Sequence, residues 1–63
     1  MNRELTSRQA AFVAAYVANG GIGAEAARKA GFSFKGAASA ASNLLDKPAV
    51  VDAIAALRRG RAQ

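Results

Sequence analysis

Residues 24–45 read AEAARKAGFSFKGAASAASNLL, and the punctuation of this stretch decides the fold. An alanine-rich run from Ala24 to Ala30 stops at Gly31. Phe32 follows as an apolar plug, and then Ser33, a hydroxyl able to cap whatever comes next. Alanine is the strongest helix former, glycine ends helices by turning left-handed, and serine is a favoured N-cap. The spacing predicts a helix over 24–30, a turn at Gly31-Phe32-Ser33, and a second helix over 34–45. At 100° per residue, the second helix gathers Phe34, Ala37, Ala38, Ala41, Leu44 and Leu45 on one side. Lys35, Gly36, Ser39, Ala40 and Asn43 fall on the other. Two short helices joined by a tight glycine turn describe a helix-turn-helix, whose second helix enters the DNA major groove.

Upstream, the sequence predicts a helix over 7–18. Thr6 and Gln9 have the spacing of a capping box, and Leu5, Gln9, Phe12, Val13, Tyr16 and Val17 recur at helical intervals as one buried stripe. Asn19-Gly20-Gly21 stops this helix. The next one starts at Ile22-Gly23-Ala24, which offers no side-chain cap and predicts a ragged beginning. Downstream, Pro48 suits the first turn of a helix over 48–59, where its missing N–H costs nothing. Val50, Ile54 and Leu57 form that helix's stripe, with Val51 beside it, and residues 58–63 are expected to fray as a basic tail. The fold class is thus all-α: a compact bundle of about four short helices in a single domain spanning 1–63.

Composition narrows the function. Eighteen of the 63 residues are alanine, so the 52% hydrophobic content supplies only a thin core. No enclosed substrate pocket is expected within it. Cysteine and histidine are both absent, which excludes disulfides, the usual zinc sites and a thiol or imidazole nucleophile. The four acids, Glu4, Glu25, Asp46 and Asp52, are scattered, and no phosphate-binding glycine loop occurs. No cofactor is implied, and the chain reads as a non-enzyme. No signal peptide is expected, since Arg3 and Glu4 lead straight into a patterned helix, and no apolar run is long enough to span a membrane. Nine Lys and Arg against four acids leave a net charge of +5, which favours a polyanionic partner.

Taken in order, Leu5, Thr6, Gln9, Phe12 and Tyr16, then Ala26, Ala27, Ala30, Gly31, Phe32 and Ser33, form a longer pattern. Lys35, Ala38, Leu44, Leu45, Pro48, Val50 and Ile54 continue it. From about Leu5 to Leu57 the chain resembles the N-terminal DNA-binding domain of the small subunit of phage DNA-packaging terminases. The resemblance implies a component that recognises viral duplex DNA in the host cytoplasm. It further implies assembly into a homo-oligomeric ring in the full-length form, and delivery of the DNA to a large subunit carrying the ATPase and nuclease. Two positions depart from the family pattern: the start of the second helix lacks the family's polar residues, and Phe34 replaces a common proline. A small transcriptional regulator, or a module docking to a packaging protein, is the alternative the residues leave open.

The base-facing candidates are Lys35, Gly36, Ser39 and Asn43. Arg28, Lys29 and Ser33 beside the turn, Arg3 and Arg8 near the first helix, and Arg58, Arg59 and Arg61 in the tail are candidates for DNA phosphates. Phe32 and Phe34 are expected in the core. Ala11, Ala14, Ala15 and Ala18 form a flat outer strip on the first helix, a candidate surface for self-association.

Overall fold

The computed structural model describes residues 5–61 as four helices: α1 (Ser7–Ala18), α2 (Gly23–Lys29), α3 (Ala37–Leu45) and α4 (Pro48–Arg61). No strand occurs among the described residues, and the fold is all-α as expected. The central helix α1 packs against both α2 and α4, α3 packs on α2, and α4 closes against α3. Phe12 and Val50 are the largest fully buried side chains. Around them lie Val13, Ala26, Ala27, Ala37, Ala41, Leu44, Ala53 and Ile54. Half of this core is alanine, so the helices approach closely instead of interlocking large side chains.

Local chemistry fixes each helix boundary. The Thr6 hydroxyl accepts from the Gln9 N–H at 3.1 Å, and the Gln9 side chain accepts from the Thr6 N–H at 3.0 Å, completing the capping box. At the end of α2, Gly31 adopts φ +106°, a backbone region that residues bearing a Cβ enter only at a cost. The Phe32 N–H then reaches the Ala27 carbonyl at 3.0 Å and the Gly31 N–H reaches Arg28 at 3.1 Å. That paired Schellman closure turns the chain sharply and delivers Phe32, half-buried, against the core.

The start of α2 is uncapped, as expected. Ile22 makes no side-chain cap, but the Asn19 amide reaches across the α1–α2 turn. Its oxygen accepts from the Gly21 and Ile22 N–H groups at 3.1 and 2.9 Å, and its nitrogen donates to the Ile22 carbonyl at 3.0 Å. One asparagine therefore fixes the turn that leads into α2, while the first N–H groups of the helix itself have no side-chain cap. Just beyond it, a Cβ added at Gly23 would stand 3.0 Å from the Ala41 Cβ, so Gly23 sets the approach of α2 to α3. Gly23→Ala should lower stability by about 1 kcal/mol, because the Ala41 methyl is fixed to a helix backbone and cannot swing away. A urea melt with an unchanged midpoint would show that α3 yields freely.

The structure corrects several expectations. Helix α3 begins at Ala37, one turn later than 34. Ser33 does act as a cap, its hydroxyl accepting from the Gly36 N–H at 3.1 Å. The residues it closes are a turn, in which the Ala37 N–H to Phe34 carbonyl contact stretches to 3.5 Å. Gly36, the poorest helix former bar proline, rests at φ −92°, ψ 0°, outside the helical well. Phe34 consequently leaves the buried stripe and is 75% exposed. The shifted phase also exposes Ala38, expected inside, and tucks Ala40, expected outside, against the core. Ile22, Val51 and Leu57 are exposed as well. Helix α4 runs on past 59 into the basic tail, to Arg61, and residues 62–63 of that tail lie outside the described residues. Ala11, Ala14 and Ala18 are exposed on α1, whereas Ala15 packs against the core.

Candidate nucleic-acid interface

The buried side of α3 consists of Ala37, Ala41 and Leu44. Its exposed side consists of Ala38, Ser39, Ser42 and Asn43, and Lys35 is exposed in the turn just before it. Among the base-facing candidates, Lys35, Ser39 and Asn43 thus reach solvent. Gly36 is half-buried at the helix start, where an added Cβ would meet the Ser33 hydroxyl at 3.1 Å. The structure adds Ser42, which the sequence reading passed over although it lies only 60° from Ser39 around the helix.

The polarity of this face is unusual for the chain. Elsewhere, past the first turn of α1, the exposed helix positions are alanine, apolar, glycine or charged residues. The one other uncharged polar side chain exposed in a described helix is Ser7, at the first position of α1. Serine and asparagine each cost about 0.5 kcal/mol relative to alanine in a helix interior. Ser39, Ser42 and Asn43 together forgo about 1.5 kcal/mol of helix propensity in a chain that otherwise defaults to alanine. Folding does not account for them.

Cations flank both ends of α3. Before it, the Arg28 guanidinium lies over the Phe34 ring, 4.7 Å from its centroid. Arg28 also faces Glu25 at 3.7 Å, a solvent-exposed pair worth at most a few tenths of a kcal/mol. Lys29, next to Arg28, is exposed. Beyond the helix, Lys47 lines an open groove together with Arg8, Phe32, Asn43 and Asp46. Arg8 in turn stacks on Phe32 at 5.2 Å. Phe32 and Phe34, two residues apart across the turn, thus hold Arg28 and Arg8. A guanidinium held over a ring can still direct N–H groups to phosphate oxygens and loses less rotamer entropy on binding. Among the described residues Asp46 is the one acid lining the groove, and it opposes phosphate approach there.

The remaining candidates are dispersed. The Ser33 hydroxyl is engaged with the Gly36 N–H. Arg58 lies over Tyr16 at 5.7 Å, beside the α1–α2 turn, and Arg59 is exposed on α4. Arg3 and the side chain of Arg61 lie outside the described residues. Lys47 was missed in the sequence because nothing local signals that the start of α1 comes to rest beside the end of α3. Among the described residues no cluster of three metal-ligating side chains occurs, and no helix is long and apolar enough to cross a membrane.

Residues 5–63 match the family model described as terminase small subunit. Neither a curated protein nor a solved structure matches the chain.

Proposed function

The chain belongs to the terminase small subunit family, and from that premise we propose that it is the duplex-DNA-recognising component of a packaging terminase. In this reading α3 enters the major groove while Arg28, Lys29 and Lys35 ahead of it, Lys47 beyond it, and Arg8 on the groove alongside it meet the phosphates. An α-helix is about 10–12 Å across with its side chains, which matches the roughly 12 Å width of the groove. The helix therefore fits between flanking strands without a long arm.

One observation carries the reading: among the described residues, the single exposed helical face built from uncharged polar side chains also has cations at both of its ends, Arg28 ahead of it and Lys47 beyond it. Members of the family generally leave catalysis to the large subunit, and this chain is proposed to hand DNA to that subunit within a homo-oligomeric assembly in the host cytoplasm.

The test is fluorescence anisotropy with a labelled duplex across a range of salt. If about five phosphates are neutralised, log affinity should fall against log salt with a slope of about −4 to −5. An affinity indifferent to salt, or none in dilute buffer, overturns the proposal.

A further inference from the structure

Asn43 and Asn19 are the two described asparagines, and they are used in opposite ways. The Asn19 amide spends its oxygen and its nitrogen on three hydrogen bonds that shape the α1–α2 turn. The Asn43 amide takes part in none of the side-chain hydrogen bonds formed among the described residues. Asparagine earns a structural place by capping a helix, by closing a local turn, or by adopting a left-handed backbone. Asn43 does none of these. It lies inside α3, and no non-glycine residue among those described has a positive φ. Its backbone carbonyl serves the Asp46 N–H at 3.2 Å, which any residue would do equally well.

The amide is therefore a donor and an acceptor held side by side on the exposed face of α3, one turn from Ser39 and in the groove lined by Arg8 and Lys47. Base edges in the major groove differ in what they offer such a pair. Guanine presents two acceptors, cytosine a donor, thymine an acceptor beside a methyl group, and adenine a donor next to an acceptor, N6–H and N7. Only adenine answers both halves of an amide at once. The neighbouring Ser39 and Ser42 hydroxyls both donate and accept, so they do not discriminate. The face carries no arginine to take guanine.

We propose that Asn43 is the specificity-determining residue of this surface and that it selects adenine in the major groove, its amide nitrogen donating to N7 and its oxygen accepting from N6–H. This rests on the duplex-DNA reading above. The test uses a pool of duplexes with a randomised central window, retained by the full chain and sequenced. The pool should become enriched in adenine at one position, and the enriched duplex should bind about tenfold tighter than one with that base pair changed. Replacing that adenine with 7-deazaadenine, which loses N7 and keeps base pairing, should forfeit most of the advantage.

Asn43→Ala, a change toward a better helix former at an exposed site, should bind all of these duplexes alike and melt no lower than the parent. Retention without adenine enrichment, enrichment that survives in N43A, or indifference to 7-deazaadenine overturns the inference and leaves duplex binding standing. Retention of no duplex at low salt overturns the DNA reading, and the inference with it.

Discussion

Phe12→Ala leaves the domain largely unfolded at 25 °C. Phe12 is fully buried, its ring stacked on Tyr16 with centroids 5.5 Å apart, and it belongs to the helix that touches both α2 and α4. Truncating a buried phenylalanine removes its transfer free energy and leaves a cavity, costing about 3–5 kcal/mol. A chain of this length has a total stability of about 3–9 kcal/mol at typical per-residue values, and an alanine-rich core places it toward the lower end. The cavity has little prospect of collapsing, because the neighbouring Ala26 and Ala27 have no side-chain length with which to fill it. Far-UV circular dichroism at 222 nm should report the loss directly. Phe12→Leu keeps most of the volume and should remain folded. Phe34→Ala, at a 75% exposed position, should move stability by no more than about 0.5 kcal/mol. A folded F12A protein would mean that the helices hold together through their alanine contacts alone.

The contrast between the two phenylalanines marks what could be read in the sequence. Helix ends were legible wherever the signal is short-range. Thr6 with Gln9, Gly31 with Phe32, and Pro48 each specify a boundary through contacts within five residues. Helical periodicity likewise identified Phe12, Val13, Leu44, Val50 and Ile54 as buried. It failed at α3 because periodicity assumes a phase, and the phase depends on where the helix starts. Ser33 and Gly36 together moved that start to Ala37, which carried Phe34 out of the core and exchanged the environments of Ala38 and Ala40. In a run as alanine-rich as residues 37–41, one register looks much like the next, so the apolar pattern resists small shifts only weakly.

The candidate interface divides along the same line. Ser39 and Asn43 were legible as one face of one helix, and Ser42 should have been read with them. Lys47, and the stacking of Arg8 on Phe32, depend on the start of α1 lying against the α2–α3 turn and the end of α3. That is a tertiary fact with no local signature. The missing cap of α2 was legible as an absence, whereas the part Asn19 plays in the turn before it was not: the asparagine reads first as a helix stop, and its second role appears only when the Ile22 backbone folds back to it.

Arg28→Ala combined with Lys47→Ala should weaken duplex binding about 100-fold in dilute salt and make the log-log salt slope shallower by about 2. Each is taken to make one charge-assisted hydrogen bond to a phosphate, worth about 1.5 kcal/mol, and two such losses amount to roughly two decades of affinity. The pair is informative because its members bracket α3: Arg28 stacks over Phe34 ahead of the helix, and Lys47 follows its last turn beside Asn43. The matched comparison is Arg58→Ala with Arg59→Ala, which removes the same net charge from α4, where Arg58 has Tyr16 and Gly21 as neighbours. Charge acting only at long range would weaken binding nearly equally in both double variants in dilute salt, where a Debye length of about 30 Å at about 0.01 M is comparable with the size of the domain. Contact at α3 predicts a much larger loss for the first pair than for the second. Equal losses in the two titrations would reduce the interface to diffuse attraction, and the polar face of α3 would then need another partner to explain it.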